Sequence, residues 1–98
     1  MIDVQVRTES GEILRRSTNV SAGSFFQTDR VLYPMLVHII PWADAVFNGS
    51  QVNALVMELD RYEADLAANP SRESFDWLRE MCEVTSEEPH RMLWFVGD

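Results

Sequence analysis

The 98-residue sequence contains no lysine and only one cysteine, Cys82. A single cysteine excludes an internal disulfide and any zinc site built on cysteines. Because Cys82 falls on the apolar stripe of a predicted helix, we expect a small buried side chain there and not a reactive thiol. The four glycines are scattered along the chain, which excludes a glycine-rich phosphate-binding loop.

Positive charge is scarce. Eight arginines stand against sixteen aspartates and glutamates, for a formal net charge of −8. Non-specific nucleic-acid binding depends on lysine and arginine, so the composition argues against a DNA- or RNA-binding protein, and the same repulsion argues against an anionic membrane surface. The sequence has no basic and apolar leader, and prolines interrupt its longest apolar stretch, residues 31–47. We therefore expect a cytoplasmic protein without a membrane span.

Length and composition indicate one folded domain over residues 1–98. Hydrophobic residues make up 46% of the chain and charged residues 24%, which is typical of globular proteins and not of disordered ones. A chain of this length forms one hydrophobic core and not two.

The N-terminal residues predict a β-hairpin. Ile2, Val4 and Val6 alternate with polar residues, as in a half-buried strand. A turn at residues 9–11 then leads into a second strand over residues 12–17, and residues 18–30 are predicted to form a loop.

Residues 31–47 are almost wholly apolar and leave two alternatives open. Pro34 favours a short helix over residues 33–39, because proline is well suited to the first position of a helix. A buried strand over residues 36–40 is the alternative. In either case we expect the segment to be packed under other elements, because so much exposed apolar surface would promote aggregation.

The second half of the chain predicts two amphipathic helices and a final strand. Apolar residues at helical spacing place the first helix over residues 52–66, and Asn69 and Pro70 are expected to cap and open the second, which runs to about Val84. Residues 92–96 are apolar on both alternating faces, which is typical of a strand in the middle of a sheet. Its second face would be covered by residues 31–47 or by a second copy of the chain.

The predicted class is therefore α+β. It comprises an N-terminal β-hairpin, an irregular or short-helical apolar segment, two amphipathic helices and a C-terminal buried strand, in one mostly antiparallel sheet.

Residues 31–98 resemble a family of small bacterial proteins that is common in actinobacteria. The resemblance rests on Tyr-Pro-Met-Leu from Tyr33, on Pro41 with Asp44, on Val-Phe-Asn from Val46 with Gln51, and on the closing Phe-Val-Gly-Asp from Phe95. It implies a compact cytosolic fold and no particular activity. The sequence departs from the pattern at Ile40, Ala43 and Ala45, where the family has Asp, Gly and Thr, so we expect any polar site there to be weakened.

One polar cluster combines Asp44, Asn48 and Gln51 across a loop-to-helix junction. A carboxylate and two amides could hold a ligand, but a single carboxylate is a thin ligand set for a hard metal ion, and these residues also suit helix capping. His38 and His90 could form a three-ligand metal site with Asp44 or Asp98, although no spacing motif demands one. We predict no catalytic residue, metal site or cofactor.

Three functions remain open. The leading hypothesis is a non-enzymatic, acidic protein-interaction module of the immunity-protein or accessory type, which binds a basic protein through an acidic face that includes Glu58, Asp65 and Glu73. The first alternative is a small-molecule-binding domain or small enzyme with its site near Asp44, Asn48 and Gln51. The second is a structural homodimer.

Overall fold

One antiparallel sheet and two helices make up the fold. The computed structural model describes residues 2–20, 30–40, 43–65 and 72–97. Their elements are, in chain order, β1 (Ile2–Thr8), β2 (Ile13–Val20), a 3-10 helix (Leu36–His38), β3 (Ala45–Phe47), α1 (Gly49–Asp65), α2 (Arg72–Ser86) and β4 (Arg91–Val96). The strand order is β2-β1-β4-β3. The predicted α+β class is confirmed.

The N-terminal hairpin is present, and its second strand is longer than predicted. The Gly11 N–H donates to the Thr8 carbonyl at 3.0 Å, and Gly11 has a φ of 97°, a conformation that favours glycine. The prediction that β2 ends at Ser17 is wrong, because the ladder with β1 continues until Val20 lies opposite Ile2. Backbone pairing with β1 therefore extends the strand by three residues into the predicted loop.

The apolar segment of residues 31–47 contains one short helix and one short strand. The 3-10 helix falls within the predicted short helix, and the alternative strand over residues 36–40 is wrong. Strand β3 was not predicted, because three residues are too few to show a period. It pairs with β4, which places Ala45 opposite Phe95 and Phe47 opposite Leu93.

Both helices differ from their predicted bounds at the ends. Helix α1 begins at Gly49, three residues before the predicted start, and ends at Asp65. Helix α2 continues to Ser86, two residues beyond the predicted end. The predicted cap at Asn69 and Pro70 lies outside the described residues.

Strand β4 has the predicted central position in the sheet, but only one of its faces is fully buried. Leu93 and Phe95 are buried opposite Val6 and Val4, on the face that packs against the helices. Its other side chains are only half-buried. The prediction of a strand buried on both faces is wrong, because the helices cover one side of the sheet. The buried apolar residues form one core: Val4, Val6, Tyr33, Leu36, Ile39, Ala45, Phe47, Val52, Leu55, Leu59, Phe75, Leu78, Met81, Cys82, Val84, Leu93 and Phe95.

The second face of the sheet, here called the open face, carries a chain of polar side chains. Asp3 accepts hydrogen bonds from Gln5 and Arg16 at 2.8 Å, and the latter contact raises the pKa of Arg16. Arg7 donates to the Gln5 amide oxygen at 2.8 Å, and its guanidinium lies 4.1 Å above the ring of Trp94. Gln5 is buried as a result.

The apolar segment does not form the predicted lid over this open face. Tyr33, Leu36 and Ile39 belong to the same core as the helices, on the other side of the sheet. The ring of Tyr33 packs edge-on against Tyr62 of α1, with 5.9 Å between the ring centroids. The segment is packed against the helix, where its apolar side chains complete the core.

Candidate functional site

Asn48 and Gln51 cap the first turn of α1. The Gln51 backbone N–H donates to the Asn48 side-chain oxygen, and the Asn48 N–H donates to the Gln51 side-chain oxygen, both at 2.9 Å. Two reciprocal bonds of this kind form a capping box, which satisfies amides that the helix itself leaves unpaired. The capping interpretation of these two residues is confirmed, and it explains why α1 begins at Gly49.

Asp44 joins the start of β3 to the end of β4. Its Oδ1 accepts a hydrogen bond from the Gly97 N–H at 2.9 Å. A Cβ atom at position 97 would lie 2.5 Å from the backbone nitrogen of Ala43, so only glycine permits this approach. Asp44 therefore has a structural role at one oxygen, and its side chain is otherwise exposed.

A concavity of about 430 Å³ lies beside β3, and Asp44 and Gln51 both line it. We call it the β3 concavity. His38 contributes an imidazole, and the apolar walls include Met35, Ile40 and Phe47. Of the three residues predicted as a cluster, Asn48 is not part of this lining. Ile40, Ala43 and Ala45, the positions at which the sequence departs from the family it resembles, all line the concavity.

The two histidines lie in different places. His38 follows the apolar segment and faces the β3 concavity. His90 precedes β4, has a φ of 65° and lies with Nδ1 at 3.2 Å from the Glu9 carboxylate in the hairpin turn. Among the described residues, no group of three His, Cys, Asp or Glu side chains could hold a metal ion. Asp98, the other ligand considered, lies outside the described residues.

Glu58 was predicted to lie on a partner-binding face, and this prediction is wrong. Its side chain is 5% exposed. Its carboxylate accepts hydrogen bonds from the backbone N–H groups of Met35 and Leu36, each at 3.0 Å. Glu58 caps the 3-10 helix from across the core and has no surface left for a partner. The side chains of Asp65 and Glu73 lie outside the described residues.

One exposed acidic surface lies on α2 and just after it. Asp76, Glu80, Glu83 and Glu87 are all exposed. Their spacing of four, three and four residues places them along one side of the helix axis. Glu80 forms an ion pair with Arg15 of β2 at 3.0 Å. The same spacing can be read from the sequence, whereas the total charge alone does not locate the surface.

Three large exposed apolar side chains belong to α1 and to the segment that Arg61 of α1 holds by a hydrogen bond. Met57 is 71% exposed, Val31 is 88% exposed and Leu32 is 45% exposed. Arg61, one turn after Met57, donates a hydrogen bond to the Leu32 carbonyl oxygen, which holds this end of the apolar segment against the helix. We call these three residues the Met57 patch. The sequence predicted that residues 31–47 would be packed away, and it did not predict this exposed end.

Cys82 is buried in the core, as predicted. Burial raises the pKa of its thiol to about 12, and the nearby Arg79 lowers the pKa by a smaller amount. A thiol that stays protonated at neutral pH is a poor nucleophile, so Cys82 has no place in a reactive site.

The two tryptophans that the structure describes do not form a common aromatic cage. Trp94 lies under Arg7 on the open face, whereas Trp77 lies beside Arg15 and Glu80 at the junction of β2 and α2. Trp42 is outside the described residues.

Comparison of the chain with protein-family models, with curated proteins and with solved structures found no match. The resemblance to the small bacterial family therefore stays a prediction. None of the described helices is both long and apolar enough to cross a membrane.

Proposed function

We propose that this protein is a non-enzymatic interaction module of the immunity-protein or accessory type, which works in the cytoplasm and binds a basic protein. The Met57 patch carries the proposal. Met57, Val31 and Leu32 are exposed, and the hydrogen bond from Arg61, one turn after Met57, to the Leu32 carbonyl oxygen holds the segment of Val31 and Leu32 against the same helix. Grouped apolar side chains on a small folded domain are typical of protein-binding surfaces.

The charge of the chain determines the chemistry of the proposed partner. A net charge of −8 attracts a basic protein over a distance and raises the rate of encounter. The exposed acids of α2 extend this negative field over one helical surface. The apolar patch would then supply the close contact, because apolar side chains gain more from being buried than solvated carboxylates do.

The test is affinity capture with matched variants, from an extract of the organism that encodes the chain. Met57→Glu places a charge in the patch, whereas Asn53→Glu places the same charge one turn earlier on α1, where the residue is also exposed. We expect a basic protein that binds the wild-type chain and Asn53→Glu and is lost with Met57→Glu. Equal capture by both variants would contradict the assigned surface, and absence of a basic protein would contradict the proposed partner.

Salt dependence provides a second measurement on the captured pair. Because charges on both proteins speed the encounter, the association rate is expected to fall several-fold between about 50 and 300 mM salt. Replacing Asp76, Glu80 and Glu83 together by their amides should lower both the rate and its salt dependence. An unchanged salt response would show that the acidic helix surface serves solubility alone.

A further inference from the structure

Strand β3 is at one end of the sheet, and among the described residues its backbone pairs with another strand on one side only. The strand order ends with β3, whose described partner is β4. In an antiparallel pair, alternate backbone groups of a strand turn away from its partner. The N–H and C=O groups that turn away from β4 form no backbone hydrogen bond with any other described residue. This edge can therefore accept another strand.

The β3 concavity lies at this strand. All three residues of β3 line the concavity, and its volume of about 430 Å³ is enough for several residues of an extended chain. The apolar walls at Met35, Ile40 and Phe47 would take apolar side chains. An extended peptide places alternate side chains on opposite sides, so one side would reach these walls while its backbone pairs with β3.

Asp44 supplies the charge at this site. Its Oδ1 is held by the Gly97 N–H, which orients the carboxylate and leaves Oδ2 for a ligand. The side-chain oxygen of Gln51 accepts a hydrogen bond from the Asn48 backbone N–H. The side-chain nitrogen of Gln51 therefore keeps its two N–H groups as donors for a ligand. His38 is exposed at the same concavity. A carboxylate beside a strand edge is complementary to a peptide with an arginine or lysine.

We propose that the β3 concavity binds an extended segment of a partner protein by strand addition, with a basic side chain of that segment on Asp44. This site is separate from the Met57 patch, which lies at the exposed side of α1. A result that contradicts one of the two proposals would therefore not contradict the other.

The experiment selects linear peptides from a random displayed library on the purified full-length chain, and measures synthetic versions of them by titration calorimetry. We expect the selected peptides to share a basic residue among alternating apolar ones. Asp44→Asn keeps the oxygen that accepts the Gly97 N–H and removes the charge, and it should weaken binding about three- to tenfold. Glu83→Gln removes the same charge from an exposed site on α2 and should have no effect beyond general screening.

Strand addition has its own signature. Methylation of alternate backbone nitrogens in the peptide should abolish binding when it removes the N–H groups that face β3, and should have little effect at the intervening positions. Amide resonances of Ala45, Val46 and Phe47 should shift on titration, and those whose N–H turns away from β4 should exchange more slowly with solvent.

Three results would overturn the proposal. The first is failure of the library to yield any peptide that binds, and the second is peptides whose binding is indifferent to both Asp44→Asn and backbone methylation. Binding of a small amine alone, with no gain from a peptide backbone, would also overturn it and indicate a small-molecule site. Met57→Glu should leave peptide binding unchanged, so its effect on partner capture reports only on the Met57 patch.

Discussion

The Glu58 carboxylate of α1 accepts the backbone N–H of Leu36 at 3.0 Å, inside the core. The same carboxylate accepts the Met35 N–H, so one side chain satisfies two amides at the start of the 3-10 helix. This contact joins residues that are 22 positions apart in the chain and fixes the apolar segment on the helix layer. The β3 concavity depends on it, because Met35 and His38 line that concavity.

Replacing Glu58 by alanine is expected to destabilise the protein strongly. Each buried N–H left without a partner costs about 1–3 kcal/mol. Urea unfolding followed by circular dichroism would measure the change, with Glu83→Ala as the control because Glu83 is an exposed helical glutamate. A loss for Glu58→Ala no greater than for Glu83→Ala would mean that the cap does not hold the segment.

The capping box of α1 predicts a pair of coupled effects. Asn48→Ala should lower the free energy of unfolding by about 1 kcal/mol, because it removes the acceptor of the Gln51 N–H. Gln51→Ala should cost less, and the double variant should lose less than the sum, since the two side chains act in one motif. Asn53→Ala, within the helix and exposed, serves as the control and should not destabilise the protein, because alanine has the higher helix propensity. Strict additivity would contradict the reciprocal arrangement.

Burial of Cys82 predicts low thiol reactivity in the folded protein. At pH 8 the thiol should react with an aromatic disulfide reagent only as fast as the protein unfolds, since its pKa is raised to about 12. Rapid labelling of one thiol per chain without denaturant would contradict this burial.

The same pKa predicts a loss of stability in alkali. The pKa of the thiol is 9.0 in the unfolded chain and about 12 in the folded protein. Between these two pH values the folded protein therefore keeps a proton on Cys82 that the unfolded chain has lost. The contribution of Cys82 to the free energy of unfolding is fully present below pH 9. It falls by up to about 1.4 kcal/mol per pH unit as the pH rises towards 12. Comparison of wild type with Cys82→Ala between pH 8 and 11 isolates the contribution, because other groups titrate alike in both. Parallel curves would contradict the prediction.

The open face predicts a monomer. Its residues Asp3, Gln5 and Arg7 are already hydrogen-bonded along the sheet, and a second copy would have to desolvate these charges. Sedimentation at micromolar concentration should give the mass of one chain. A dimer that Trp94→Glu dissociates without unfolding would instead support the homodimer hypothesis. Trp94 is chosen for this variant because the next residue, Phe95, is in the core and its replacement by glutamate would unfold the protein.

Several elements could be predicted from local patterns. Alternation of Ile2, Val4 and Val6 is enough for a strand with one buried face, and the period of α1 is long enough to show its apolar side. The capping role of Asn48 and Gln51 could also be foreseen, because a cap acts within one turn of the chain. The spacing of the acidic residues along α2 is also present in the sequence. It predicts the exposed charged surface correctly, whereas the predicted face that included Glu58 is wrong.

The features that were predicted wrongly or not at all share one physical cause. Glu58 has the residue type and near neighbours of a solvated helical acid, and only the arrival of the Leu36 amide from elsewhere in the chain makes its burial favourable. Strand β3 is three residues long and exists through its pairing with β4. The two faces of β4 look equally apolar in sequence, and the packing of helices on one of them decides which is buried.

The sequence by itself determined the fold class, the two helices, the hairpin, the central position of the last strand and the acidic character of the surface. These follow from period, capping and charge, which act between near neighbours or over the whole chain. Tertiary structure alone decided that Glu58 is a core cap, that the Met57 patch is exposed and that Asp44 directly precedes the strand at one end of the described sheet. Each of these depends on contacts between residues distant in the chain, which a local pattern does not record.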